Sequence, residues 1–136
     1  GAKVIGLANG ATDTTNSIKQ AYEFGVSKSG QRLAGLLVFI TDVHSLGLQI
    51  AQGLQMTESF YWDMNDRTRA FTQRMRPAVA AGVFPNMDQA GSYSALAHYL
   101  KVVAELGAAG AKKSGRATVA AMKRMPNYAG DARIAL

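Results

Sequence analysis

The sequence predicts an α/β fold: a three-layer sandwich built on a parallel sheet. Two apolar runs, Val4-Ile5-Gly6-Leu7-Ala8 and Leu33-Ala34-Gly35-Leu36-Leu37-Val38-Phe39-Ile40, are each followed by a helical pattern. A strand buried on both faces reads as such a continuous apolar run. A third stretch, Leu54 to Trp62, mixes alternation with β-forming residues. Strand, helix, strand, helix, strand is the rhythm of right-handed parallel crossovers, and parallel strands are expected near 3–8, 34–40 and 55–61.

The first strand breaks at Asn9-Gly10-Ala11, and the helical spacing of Ile18, Ala21, Tyr22 and Phe24 predicts a helix from about 13 to 24. Thr12, Asp13 or Thr14 is expected to cap it through a side-chain oxygen, and Gly25 stands where a left-handed C′ residue belongs. Ser27 to Gly30 reads as a loop. After the second strand and Thr41-Asp42, the spacing of Leu46, Leu48, Ile50 and Ala51 suggests a short helix closed by Gly53. Asn65-Asp66 caps a helix from about 66 to 76, which Pro77 and the Ala-rich stretch to Gly82 terminate. Phe84-Pro85-Asn86 reads as a turn. The longest helix is expected over 88–106, with Ala90, Tyr93, Leu96, Ala97, Leu100, Val103 and Ala104 on its apolar face and Gly107 to Gly110 breaking it. A last short helix begins near Thr118 and stops at Pro126. Three strands are fewer than the five or so of an average sheet, and the chain opens directly on one, so part of a larger fold is expected.

Composition narrows the function. A hydrophobic content of 48% with 18% charged residues describes a globular chain rather than a disordered one. The net charge of +6 invites a nucleic-acid reading. The basic residues nevertheless are spread along the whole chain from Lys3 to Arg133, and no zinc-finger, RNP-like or helix-turn-helix pattern organises them, so no nucleic-acid partner is expected. With no cysteine, disulfides and thiolate chemistry are excluded. No apolar stretch reaches the roughly 20 residues of a spanning helix, and the first residues read as a strand rather than a signal peptide. His44 and His98 fall in no metal-ligand spacing, and G-x-S-x-G, G-x-G-x-x-G and the phosphate-loop pattern are absent. No metal, cofactor or catalytic residue is expected.

Ligands of open α/β sheets sit at the carboxyl ends of the strands, where helix N-termini converge. Three segments qualify. The loop Asn9, Gly10, Ala11, Thr12 and Asp13 offers backbone N–H groups for a carboxylate and the Asn9 carboxamide as donor and acceptor; as plain structure it is a helix cap. Phe39, Thr41 and Asp42 follow the second strand. Phe39 reads either as a ring to stack on a ligand or as core, and Asp42 either as a ligand contact or as a helix cap. Tyr61 and Trp62, at the expected end of the third strand, either wall an aromatic ligand or simply pack. Asp13 and Asp42 together mimic an acidic enzyme pocket of the flavodoxin or response-regulator type, but no partner lysine or phosphate loop accompanies them.

Four segments in combination carry a resemblance: Leu7-Ala8-Asn9-Gly10-Ala11-Thr12-Asp13-Thr14, Gly35 to His44, Ser59-Phe60-Tyr61-Trp62-Asp63 and Gln89-Ala90-Gly91-Ser92-Tyr93-Ser94-Ala95. Over residues 2–126 the chain resembles the type I periplasmic solute-binding proteins of ABC importers, nearest the branched-chain amino-acid type and relatives that bind aromatic carboxylates. The resemblance implies two Rossmann-like lobes that close on a ligand by hinge bending, with residues 1–126 forming part of the second lobe and 127–136 a divergent tail. It further implies a small carboxylate ligand, delivery to a membrane permease, a periplasmic location, and no enzymatic activity. The 39–42 loop then faces the interlobe cleft, where an acidic residue in some relatives pairs with a ligand amine. A ligand-sensing regulatory domain of the same fold is the alternative. A partial lobe has an open sheet edge, so self-association is expected.

Overall fold

A computed structural model describes residues 1–125 and divides the chain into two compact units, Gly1–Tyr61 and a second that begins at Trp62. The expected tail, 127–136, and the expected helix stop at Pro126 lie outside the described residues.

The first unit carries the sheet. β1 (Val4–Leu7), β2 (Arg32–Gly35) and β3 (Gln55–Met56) are parallel and lie in the order β1-β2-β3. Val4 pairs with Arg32 and Leu7 with Gly35, and Gly35 in turn with Met56. This register places Ile5, Leu7, Leu33, Gly35 and Met56 on one face and Val4, Gly6, Arg32, Ala34 and Gln55 on the other. The first face is the covered one. α1 (Ala11–Glu23), α2 (Ile40–Leu46) and α3 (Leu48–Ala51) pack against one another. Ile18, Val38 and Leu46 form the buried core there, backed by Leu7, Val43, Ile50, Leu54 and Met56. Burial of each such side chain stabilises by about 1.5–3 kcal/mol. A hydrogen bond of 2.8 Å from the Gln49 amide to the Tyr22 hydroxyl ties α3 to α1.

The strands are shorter than the apolar runs that announce them. β2 stops at Gly35 instead of running to Ile40. Leu36 and Leu37 bend outward, 69% and 47% exposed, and Val38 returns into the core at 1%. Gly35 permits that return: a Cβ there would collide with the Val38 side chain, its own Cβ only 3.1 Å away. β3 is two residues long rather than seven or more, so Glu58 to Trp62 lie beyond it. The apolarity of 36–40 and the β-forming character of 57–62 therefore serve the loops and not the ladder.

Helix termini also depart from expectation in places. Gly10, not Thr12, Asp13 or Thr14, is the N-cap of α1, and no side chain caps it; those three residues lie inside the first turn. Gly25 takes the left-handed conformation (φ 68°) foreseen at the helix end, and Val26–Ser29 form a 3₁₀ turn where a loop was expected. The single helix expected near 46–51 is a pair, α2 and α3, separated at Gly47 (φ 80°).

The second unit is helical. α4 (Asp66–Met75) starts as read: the Asn65 carboxamide accepts from Arg67 and Thr68 N–H, both at 3.0 Å. A 3₁₀ turn over Arg76–Ala78 ends it, with Pro77 inside that turn. α5 (Met87–Lys113) opens at Asn86, whose side chain accepts from Asp88 N–H at 2.8 Å. Gly107 (φ 72°, ψ 155°) kinks it, but the helix resumes and runs to Lys113. Of its expected apolar face Ala90 is buried, while Leu96 and Leu100 are more than half exposed. α6 (Gly115–Arg124) begins earlier than Thr118 and is capped by Ser114. Thr118 donates to the Ala111 carbonyl at 2.8 Å, and His98 meets the Met122 carbonyl at 3.2 Å, so both bind α6 to α5.

Two stability measurements check this packing. Gly35→Ala should destabilise by about 1–3 kcal/mol through overpacking against Val38. Gly6→Ala, where an added Cβ meets nothing within 4 Å, should stay within about 1 kcal/mol of wild type. Urea midpoints of the two variants decide it, and equal losses would refute the close approach. Asn65→Ala should cost about 1 kcal/mol by removing the α4 cap. An unchanged midpoint would show that the cap contributes nothing.

Candidate functional site

The parallel sheet brings two of the three expected segments to one edge. Residues 9–13 follow β1 and residues 39–42 follow β2, both at carboxyl ends. The two loops touch: a Cβ on Gly10 would lie 2.9 Å from Leu37 Cδ2, so the β1–α1 loop passes directly beneath the bend after β2. The absence of a side chain at Gly10 is what allows it.

Within the first loop Asn9 is committed to the scaffold. Its amide donates to Ser17 Oγ at 3.1 Å and its carbonyl oxygen accepts from Thr14 Oγ1 at 3.0 Å. These bonds fix the loop onto α1 and satisfy the buried Thr14 hydroxyl. Ala11 has φ 52°, a left-handed conformation that costs a residue with a Cβ about 1–2 kcal/mol. With no side-chain cap at Gly10, the first N–H groups of α1 are open to a partner. Ala11, Thr12 and Asp13 are exposed. Asp13 also places a negative side chain in that first turn, and its carbonyl accepts from Ser17 Oγ at 2.8 Å.

In the second loop the cap reading of Asp42 is realised. Phe39 is the N-cap of α2, and the Asp42 carboxylate accepts the Phe39 N–H at 2.8 Å. Phe39 and Thr41 are half-buried at the helix start rather than at a strand end.

A residue outside the expected set completes this edge. Glu58 Oε1 accepts from the Ile40 N–H at 2.6 Å, linking the segment after β3 to the first turn of α2. Burial pushes the Glu58 carboxyl above its ordinary value, the Ile40 N–H pulls it partly back, and the Asp42 charge raises it further. Three loops are thus knitted together at the carboxyl edge, through Leu37 on Gly10 and Glu58 on Ile40.

Tyr61 and Trp62 do not extend β3. Tyr61 is the last residue of the first unit, 37% exposed. Trp62 opens the second unit and stacks on Phe84 with ring centroids 4.1 Å apart. With Arg69, Thr72, Gln73 and Arg76 these rings line a shallow depression of that unit. Arg69 is held by Asp63 at 2.9 Å and Asp66 at 2.7 Å. Among the described residues no group of His, Asp and Glu is placed to hold a metal ion.

Comparison with known proteins accords with this architecture. A family model described as periplasmic binding protein matches residues 1–135. A crystal structure of a periplasmic binding protein from Burkholderia mallei is 41% identical, with a TM-score of 0.76, over 91% of this chain and 31% of that one. A branched chain amino acid ABC transporter periplasmic ligand-binding protein from Burkholderia xenovorans is 42% identical, with a TM-score of 0.64, over 78% of this chain and 28% of that one. A comparison with curated proteins returned no match. The chain spans less than a third of the length of either solved relative. The family is one of ligand-binding proteins rather than enzymes. An α/β Rossmann-like lobe with a parallel sheet, matched over nearly its whole length, places this chain in the periplasmic binding protein family.

Proposed function

We propose that the chain is part of the second lobe of a solute-binding component of an ABC transport system, and that it forms one wall of a cleft that captures a small carboxylate. The ligand is an amino acid or an aromatic acid. The family implies a periplasmic location, and the closed, loaded protein delivers its solute to a membrane permease. The observation that carries the reading is the joined carboxyl edge: the β1–α1 and β2–α2 loops lie in contact beside the uncapped start of α1.

Each residue then has a role. The Gly10, Ala11 and Thr12 N–H groups hold the carboxylate at the start of α1, where the helix dipole favours negative charge. Asn9 orients that loop through Ser17 and Thr14. The Phe39 ring stacks on the solute, Thr41 offers a hydroxyl, and Asp42 sets the start of α2 while adding negative charge for a ligand amine. Tyr61 adds a ring from the end of the first unit, and Trp62, stacked on Phe84, offers an aromatic surface within the second. Lobe closure desolvates the solute, which strengthens each of these contacts.

In the two-lobe protein, Phe39→Ala should weaken binding of benzoate by about 1 kcal/mol or more through lost stacking and burial. Isothermal calorimetry on the two proteins measures it, and an unchanged affinity would return Phe39 to packing alone.

The 136-residue chain alone should bind benzoate weakly or not at all, since one lobe leaves the solute half hydrated. Among the described residues β1 pairs only with β2, so its outer edge is free to template a second copy. Sedimentation should therefore show concentration-dependent association. A stable monomer that binds benzoate tightly would overturn the half-lobe reading.

A further inference from the structure

We propose that Glu58 is a positioning residue of the carboxyl edge: its carboxylate, held on the Ile40 N–H, fixes the start of α2 and with it Phe39 and Thr41. The proposal rests on the reading of that edge as a ligand wall, but the contact itself is independent of any ligand. Ile40 is the first residue of α2, and its N–H is one of the donors that a helix cannot satisfy internally. Two carboxylates share the work at this end. Asp42, from within the helix, takes the N–H of Phe39 at 2.8 Å, while Glu58, eighteen residues on from Ile40, takes the next N–H at 2.6 Å. Asp42 therefore shapes the turn locally, and Glu58 ties it to the segment after β3.

The Glu58 hydrogen bond carries a charge that the positioning contact itself does not require. A glutamine oxygen accepts the same hydrogen bond without a charge to desolvate. Among the described residues Asp42 is the charged side chain that acts on Glu58, and its effect is unfavourable to the anion. Because the folded-state pKa is raised above the unfolded value, the folded protein holds this proton more tightly than the unfolded chain does. The associated stability is fully present below the unfolded pKa and is lost as pH rises through the folded pKa. At neutral pH the charge is thus a net cost to folding, offset in part by the charge-assisted hydrogen bond to Ile40, which makes the grip on α2 follow the protonation of Glu58.

Amide NMR on the chain tests this directly. The Ile40 N–H shift should titrate with a midpoint above that of an ordinary glutamate. Asp42→Asn should lower that midpoint, and Glu58→Gln should abolish the titration while keeping Ile40 protected from hydrogen exchange. Glu58→Ala should lose at least tenfold of that protection. In the two-lobe protein, benzoate or L-leucine affinity should survive Glu58→Gln at neutral pH and fall several-fold in Glu58→Ala. An Ile40 shift that ignores pH in the wild type, or protection unchanged in Glu58→Ala, would overturn the proposal. So would a loss of affinity in Glu58→Ala no larger than in Glu58→Gln. If neither probe binds the wild type, the ligand class is wrong, and the Ile40 measurements still decide the role of Glu58.

Discussion

The close approach of Val38 to Gly35 governs the carboxyl edge of the first unit. Were β2 to continue along its apolar run, Phe39 and Thr41 would be strand residues pointing to one face of the sheet and Asp42 to the other. Because Gly35 has no Cβ, the chain instead turns at once, Val38 fills the core beneath α1, and Phe39 becomes the first residue outside α2. The same turn throws Leu37 over Gly10, so a second glycine is required for the first loop to pass. Two missing methyl groups, at Gly10 and at the end of β2, set the geometry of the β1–α1 and β2–α2 loops.

Polar groups then finish what sterics begin. The first turns of α1 and α2 carry the donors that helices leave open, and the two ends are treated differently. At α2 both early donors are taken by carboxylates, one local and one from the next loop. At α1 the cap is a glycine with no side-chain acceptor, and the adjacent Ala11 is held in a left-handed conformation. Strained residues persist where the surroundings over-determine them, and ligand clamps are among the places they gather. On the proposed reading, the open donors at α1 are the place for an anion, and α2 contributes ring, hydroxyl and negative charge.

Much of this was legible in the residues. Apolar runs followed by helical spacing identified the parallel α/β class, and Asn65 and Gly25 marked their helix ends by ordinary capping and glycine chemistry, whereas Gly107, read as a break, only kinks α5. The lengths of β2 and β3 were not legible, because an apolar residue that lines a loop and one that pairs in a ladder look alike. Glu58 was hidden by the same error: read inside a strand running to Trp62, it had no reason to meet Ile40. The signal was nonetheless present as a carboxylate just past Gln55-Met56, beside the expected ligand edge. Leu96 and Leu100 on α5 show the converse limit. A periodic apolar stripe predicts a helix face that favours burial, but not which surface covers it.

The linkage of the three loops bears on the entropy of recognition. Loops that move independently must each be ordered when a solute arrives, at about 0.5–1.5 kcal/mol for every immobilised side chain rich in rotamers. Here Leu37 rests on Gly10, Glu58 grips Ile40, and Asn9 is pinned to α1, so the edge is preorganised before any solute meets it. Such a wall behaves as a stiff plate. A push on one loop is shared by the other two, and on the proposed reading lobe closure would meet the solute with little of the binding energy spent on quieting the edge.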